Sequence, residues 1–167
     1  MRFFFYGSLL DPDIRRIVMG KGGPWPVESA SLAGWRRRRR RDAIYPILER
    51  RAGGSVEGLV VSRVTPKAAA RLAAFEGSNY GVALLRPVAA DGRGLPAFLF
   101  LPRRRLAGPA PWDERRWALG RKSAALRSAA REMTEIGRLA ARHGTRIWRR
   151  HARLWQDRAL PKGEALS

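Results

Sequence analysis

The chain has 167 residues and a formal net charge of +20 at neutral pH, because 34 arginines and lysines outnumber 14 aspartates and glutamates. This length suits one compact domain with a short appendage, and a hydrophobic content of 45% is enough for a core. The absence of cysteine excludes disulfides and thiolate catalysis. No apolar run approaches the ~20 residues of a membrane-spanning helix, and the first residues do not resemble a signal peptide. We therefore expect a cytoplasmic protein that does not insert into membranes.

The excess of positive charge has two interpretations. Clustered cations bind phosphates by counterion release, which would indicate a nucleic acid or another polyanion as partner. However, only four of the 34 basic residues are lysines, and such a preference for arginine beside abundant alanine and glycine is typical of a GC-rich genome. Charge alone affects solubility and nonspecific binding rather than fold, so a nucleic-acid partner stays open but is not favoured.

Local signals predict a strand, a loop and a helix at the beginning of the chain. Apolar and aromatic residues over 2–6 predict the strand, which ends in a tight loop at Gly7. Asp11 is a typical N-cap and Pro12 a typical first helical residue. The helix that they begin is expected to end at Gly20.

A second strand is predicted over 30–34, directly before the unbroken arginine run Arg36–Arg41. Like charges on both faces of a buried strand repel each other and lose their hydration, so we expect this run at a sheet edge or in a loop. A strand-like stretch follows over 44–48 and a polar turn over 49–54. Later segments predict three strands, 56–64, 82–88 and 97–101, and a helix over 67–75 that begins with Thr65 and Pro66.

The composition changes after Pro109, where a long helix with Asp113 as N-cap is predicted. Its apolar residues recur every seven positions, at Leu119, Leu126, Met133 and Ala140. This stripe predicts a face that packs on the rest of the protein, with a dimer interface as the alternative. A second basic helix is predicted within 146–160. We therefore divide the chain into a domain over 1–110 and a basic helical extension over 111–167.

Three motifs, far apart in the sequence, occur in an order that is typical of one family. They are Tyr6-Gly7-Ser8-Leu9 after the first strand, Tyr45-Pro46 before Val56-x-Gly58, and Phe75-Glu76-Gly77 with Tyr80 at the end of the short helix. In this order and approximate spacing, over residues 1 to about 101, the chain resembles the γ-glutamylcyclotransferase-like family.

The resemblance implies an α+β fold in which a small mixed β-barrel is flanked by helices. It also implies a small-molecule substrate with a γ-glutamyl group. The α-amine of such a substrate attacks its own γ-carbonyl, which releases 5-oxoproline together with an amine or amino acid. The resemblance implies neither a metal nor an organic cofactor.

The residues are suited to this reaction. One carboxylate near both nitrogens can act first as general base and then as general acid, and Glu76 matches the catalytic glutamate of the family. Partial desolvation beside Phe75 would raise its pKa. Backbone amides of the Gly7–Leu9 loop can stabilise the developing oxyanion. The candidate substrate-binding residues are Tyr6, Gly7, Ser8, Leu9, Tyr45 and Tyr80.

One departure from the family leaves other functions open. Many members carry Tyr-x-Arg where this chain has Tyr80-Gly81-Val82, which indicates a changed substrate or reduced activity. A catalytically silent binding module of the same fold is therefore the second interpretation. A polyanion-binding protein that uses Arg36–Arg41 and the basic tail is the third. The sequence determines neither the leaving amine nor the oligomeric state.

Two other catalytic or metal sites are not expected. Ser8 has no His/Asp pair that would make it a nucleophile. His143 and His151 have no carboxylate or cysteine pattern beside them, so no metal site is predicted there.

Overall fold

In the computed structural model, the described part of the chain consists of residues 1–41, 45–77, 79–102 and 107–142. It contains seven β-strands and three α-helices. The strands are β1 Phe3–Phe5, β2 Val27–Arg40, β3 Pro46–Val61, β4 Tyr80–Leu85, β5 Val88–Ala89, β6 Ala97–Pro102 and β7 Ala107–Pro111. The helices are α1 Pro12–Met19, α2 Pro66–Glu76 and α3 Glu114–Arg142. A 3-10 turn over Ser8–Leu10 joins β1 to α1.

All seven strands belong to one mixed sheet, so the predicted α+β class is confirmed. The order is β4-β6-β1-β3-β2-β5, with β7 paired to the end of β2, and β1 lies parallel to β6. Among the described residues, β4 and β5 at the two ends of this order do not pair. Within these residues the sheet is not closed, so the predicted small β-barrel is not complete. With only two residues, β5 offers too few backbone groups to close a barrel.

The short strand β1 lies between β6 and β3, and each of its side chains is buried. Successive side chains of a strand point to opposite faces. Phe3 and Phe5 accordingly join the core beneath the helices, whereas Phe4 joins a second core on the other face of the sheet. The chain therefore leaves β1 from between two packed layers, which fixes the position of the residues that follow.

Gly58 on β3 allows the two central strands to approach each other. A Cβ atom at this position would contact the carbonyl oxygen of Phe5, and it would lie 2.5 Å from the ring of Phe4. No side chain fits in this space. The glycine of the Val56-x-Gly58 motif is therefore required for packing.

The prediction of an edge or a loop for the arginine run was wrong for Arg38 and Arg40, which are paired on both sides, whereas Arg41 lies in a turn. Arg36–Arg40 form the second part of β2, with β3 on one side and β7 on the other. Arg36 donates to the Glu49 carboxylate at 2.7 Å, and Arg38 donates to the Gly108 carbonyl at 3.1 Å. The strand accommodates these charges because the neighbouring strands supply hydrogen-bond acceptors and the side chains keep part of their hydration.

The predicted turn over 49–54 is also wrong, because β3 continues through it without interruption. Here β2 and β3 form a long antiparallel hairpin, with a register shift between Ala33 and Trp35. Gly34 adopts a φ of +82° at this shift, a conformation that glycine tolerates. The polar residues of the segment are mostly exposed on the strand, and their polarity reflects solvent contact rather than a change of direction.

Both short helices begin and end where the sequence predicted. The Asp11 carboxylate accepts hydrogen bonds from two amides of the first turn of α1 at 2.9 and 3.2 Å, and Gly20 ends this helix with a φ of +79°. The Thr65 hydroxyl caps α2 in the same way, and Gly77 ends it with a φ of +70°. These caps make Glu76 the last residue of α2.

The long helix α3 packs against α1 and α2. Its buried residues follow a spacing of four: Trp117, Ala125, Ala129 and Met133. Leu119 was predicted for this face but is 92% exposed, because it lies half a turn away from Trp117. Lys122 binds the Asp11 carboxylate at 2.7 Å and so joins α3 to the beginning of α1. The predicted helix within 146–160 lies outside the described residues.

Candidate active site

A cavity of about 390 Å³ opens where β1 ends. Every residue that the sequence predicted for the site lines it: Tyr6, Gly7, Ser8, Leu9, Tyr45, Glu76 and Tyr80. The lining also includes Phe4, Phe5 and Phe100, which are each at most 5% exposed and which we call the aromatic floor. Three motifs that are distant in sequence therefore meet around one cavity.

Tyr6 is buried and fixed at the beginning of the cavity. Its hydroxyl donates a hydrogen bond to the carbonyl oxygen of Phe100 at 2.7 Å. Burial raises the pKa of Tyr6 well above its usual range, and the nearby Glu76 and Tyr80 add to this effect. The Tyr6 hydroxyl is therefore neutral and donates its proton to a hydrogen bond within the protein. Glu76 and Tyr80 lie close enough to affect its pKa.

Gly7 is in close contact with Pro46 of the second motif. A Cβ atom on Gly7 would lie 2.6 Å from Cγ of Pro46, closer than packed atoms tolerate. The sequence argument assigned the open space at Gly7 to backbone groups that face a ligand. In the structure, the proline ring occupies the space where a side chain would be, so the first two motifs pack directly on each other.

The turn after Gly7 is stabilised by its own backbone hydrogen bonds and by a side chain of α1. Two backbone hydrogen bonds of 2.8 and 3.1 Å close it. Arg15 of α1 donates to the carbonyl oxygens of Leu9 at 2.8 Å and Leu10 at 2.5 Å. Within the described ranges, the backbone amides of Gly7, Ser8 and Leu9 donate no hydrogen bond. Arg15 was not predicted, and it orients the turn by binding its carbonyl oxygens.

Glu76 lies at the end of α2 and lines the cavity. Burial raises the pKa of its carboxyl from 4.5 to about 7, and the negative charge of Glu132 adds to the shift. In the part of the chain that the structure describes, no hydrogen bond or ion pair holds this carboxyl. A group whose pKa is near 7 can accept and return a proton at neutral pH. Glu76 therefore has the properties of a general acid/base.

The other two predicted tyrosines are half-buried. Tyr80 is the first residue of β4 and pairs with Pro102 of β6. Tyr45 directly precedes β3 and lies near Ser128 and Glu132 of α3, which both affect its pKa. Burial raises the pKa of Tyr45, Glu132 adds to this shift, and the nearby Ser128 opposes it. Tyr45 thus connects the cavity to the long helix.

Sequence reasoning missed three polar residues of the lining, which are Arg40, Asn79 and Glu132. Asn79 stands inside the third motif, next to Tyr80, and this position was a signal that could have found it. Arg40 belongs to the run that was assigned to an edge or a loop. Glu132 lies on a helix that was interpreted only as a packing element, and no local pattern indicated that it reaches the cavity.

Two negative findings concern the described residues alone. Residues 1–41, 45–77, 79–102 and 107–142 contain no cluster of acidic or histidine side chains that is placed to hold a metal ion. His143 and His151 lie outside these ranges. None of the described helices combines the length and the apolarity that crossing a bilayer requires.

Residues 3–119 match the model of a family described as gamma-glutamyl cyclotransferase, AIG2-like. The match includes β1, the turn after it, α2 and the beginning of β4, and so all predicted site residues. The chain belongs to this family. Glu132 of the cavity lies beyond the matched residues.

Similar proteins agree with this assignment. The solution structure of an Arabidopsis thaliana protein is 27% identical, with a TM-score of 0.58 over 76% of this chain and 86% of that chain. A structure named gamma-glutamyl cyclotransferase is 14% identical, with a TM-score of 0.55 over 80% and 79%, and supports the fold alone. The AIG2-like protein A of Arabidopsis thaliana is 34% identical over 77 residues. This alignment spans 46% of either protein, so it covers about half the length of that relative.

Proposed function

We propose that the protein is an enzyme that cyclises a γ-glutamyl compound and releases 5-oxoproline together with an amine or amino acid. Glu76 is its general acid/base. The observation that carries this proposal is a carboxyl with a pKa of about 7 that lines the same cavity as the Tyr6–Leu9 segment. Membership of the cyclotransferase family supports the reaction type.

The proton balance of the reaction explains why one carboxyl is sufficient. The α-ammonium of the substrate gives a proton to the Glu76 carboxylate, and the neutral amine attacks the γ-carbonyl carbon. A new C–N bond closes the ring, and Glu76 returns the proton to the leaving nitrogen as the old C–N bond breaks. The ring nitrogen then loses a second proton, and the released amine gains one. Glu76 ends in its starting state.

The remaining lining is suited to the glutamyl half of the substrate. The amides of Gly7, Ser8 and Leu9 can donate to the oxygen of the γ-carbonyl as it becomes negative. Arg40 supplies a guanidinium in the lining, which suits the α-carboxylate. The residues of the aromatic floor are at most 5% exposed, so this part of the lining is closed to water.

A catalytically silent binding module is the second candidate, and Val82 is the observation that favours it. Val82 lies on β4, opposite Phe100 of β6, and packs against the core beneath the helices. It occupies the position where many family members carry the arginine of Tyr-x-Arg. If that arginine is needed for turnover, this chain binds γ-glutamyl compounds without converting them. The polyanion hypothesis is weaker, because Arg36 and Arg38 are engaged within the sheet.

The test is the release of 5-oxoproline from a panel of γ-glutamyl compounds by the wild type and by Glu76→Gln. Glutamine keeps the size and hydrogen bonding of Glu76 but cannot carry a proton. We expect kcat to decrease by at least ~100-fold. Glu57→Gln is the matched control, because Glu57 is exposed on β3 and does not line the cavity.

Three results would each change the conclusion. Binding without turnover by the wild type would favour the silent module. Full activity of Glu76→Gln would mean that another group moves the protons. A loss of activity in Glu57→Gln as large as in Glu76→Gln would show that the assay reports folding rather than chemistry.

A further inference from the structure

Glu132 is a second carboxylate of the cavity, contributed by α3. It lies one helical turn after Ser128, which is near Tyr45, and directly before Met133, which is buried against the core. Glu132 lines the cavity, yet the residue as a whole is exposed. Glu132 therefore lies at the solvent-exposed rim of the cavity, whereas the aromatic floor is buried.

The surroundings of Glu132 leave it available to a ligand. Within the described ranges, its carboxylate forms no hydrogen bond or ion pair. Glu135, three residues further along the helix, is instead within 3.7 Å of Arg138. Partial burial raises the pKa of Glu132, and its charge affects both Glu76 and Tyr45. A partly desolvated carboxylate without a cation partner is stabilised when a ligand brings a positive charge.

The reaction direction determines which part of a substrate reaches this rim. The amides of the Gly7–Leu9 turn and the Glu76 carboxyl must both be near the γ-carbonyl and the α-nitrogen. The lining passes from aromatic residues that are at most 5% exposed to Glu132, which is exposed. The amine half of the substrate must therefore extend toward solvent, on the side where α3 borders the cavity.

We propose that Glu132 is a specificity-determining residue that binds a positive charge on the amine half of the substrate. Resting on the proposed function, this inference deepens it: γ-glutamyl amides whose amine half carries a second, cationic nitrogen are preferred over those with a neutral or anionic amine half. The preference depends on α3, which lies mostly outside the residues matched by the family model.

The test uses three γ-glutamyl amides of similar length that differ in the charge of their tail. They are the amides of 1,4-diaminobutane, pentylamine and 5-aminopentanoic acid, with cationic, neutral and anionic tails. Their affinities are measured by titration calorimetry in the Glu76→Gln background, so that no turnover interferes. We expect the cationic amide to bind about tenfold more tightly than the neutral one, equivalent to about 1.4 kcal/mol. The anionic amide should bind most weakly.

Two substitutions at position 132 and two controls complete the design. Adding Glu132→Gln should abolish the preference for the cationic tail, and adding Glu132→Lys should reverse it in favour of the anionic tail. Glu135→Gln and Glu135→Lys, on the same helix but outside the cavity lining, should keep the original order. Because both positions are exposed on the helix, folding is expected to persist, and circular dichroism verifies it.

Several outcomes would overturn the inference. These are equal affinity for all three amides, an equal loss of affinity for all three on Glu132→Gln, and an absence of binding by any of them. The second would mean that Glu132 binds the α-ammonium common to the three compounds. Turnover by the wild type separates the two proposals: conversion without charge preference would sustain the cyclotransferase and reject the role of Glu132. A charge preference in binding without conversion would support the role of Glu132 and reject the cyclotransferase activity.

Discussion

The two sides of the cavity are built differently. On the side of the motifs, each segment is short and its end is fixed by its own residues: two backbone hydrogen bonds close the turn after Gly7, and Gly77 ends α2 behind Glu76. The opposite side consists of one helix of 29 residues, whose Glu132 reaches the cavity only because the helix docks on α1 and α2. The first side depends on local geometry, and the second depends on packing between distant segments.

This difference separates the parts of the site by function. The motif side contains the acid/base candidate and the backbone amides, which the reaction needs for any γ-glutamyl compound. Residues 3–119 match the family, and this range includes the whole motif side. Glu132 on the α3 side lies beyond it, and in the proposed binding mode it is near the amine half of the substrate, which varies. Substitutions on the motif side should therefore affect folding and chemistry, whereas those on the α3 side should change selection and pH dependence.

The largest expected effect is on the motif side, at Gly58. Alanine at this position would place a methyl group against the Phe5 carbonyl and 2.5 Å from the Phe4 ring. We expect the free energy of unfolding to decrease by about 2–3 kcal/mol, because β1 and β3 must separate. Urea denaturation measures this change.

Gly120 provides a control with the opposite sign. It lies in α3, and a Cβ atom there would have no neighbour within 4 Å. Gly120→Ala should therefore stabilise the protein by about 0.5–1 kcal/mol through helix propensity. If both substitutions had the same small effect, the close packing of β1 on β3 would be disproved.

Much of the fold could be predicted where local chemistry determines it. Asp11, Thr65 and the glycines after each short helix are sufficient to fix α1 and α2, because a cap needs only its own turn. The arginine strand could not be predicted in this way. Its charges are tolerated because Glu49 and the Gly108 carbonyl come from neighbouring strands, and no sequence pattern near Arg36 specifies them.

The same reasoning applies to the site. The motifs identified Glu76 and the tyrosines, because their residue types and order are those of a known family. Glu132 escaped detection because a single glutamate on a basic helix resembles any solvent-exposed residue. The seven-residue stripe was right at Leu126 and Met133, which pack on the core, and wrong at Leu119, which is exposed. Only the docking of α3 determines which of its carboxylates borders the cavity.

A smaller effect is expected on stability at Glu76. Since its folded pKa of about 7 lies above the ordinary 4.5, the folded protein keeps a proton in this window that the unfolded chain releases. The wild type thus loses stability as the pH rises from 4.5 to about 7, and Glu76→Gln does not. Between pH 4 and pH 9, the variant should gain on the order of 2 kcal/mol relative to the wild type, after allowance for partial exposure. Glu57→Gln should show no such gain, and a gain at acid pH instead would contradict the burial of Glu76.

The smallest effect concerns Glu132 and the pH dependence of activity. Glu76 accepts a proton only as a carboxylate, so kcat/KM should fall as the pH decreases through about 7. Glu132→Gln removes a negative charge that raises the Glu76 pKa, and the acid limb of the profile should therefore move to lower pH. Since burial is the larger cause, the limb should stay above the ordinary value of 4.5. Glu135→Gln, outside the cavity, should leave the limb in place. A limb that did not move would mean that α3 influences only the amine half, and that the two carboxylates act independently.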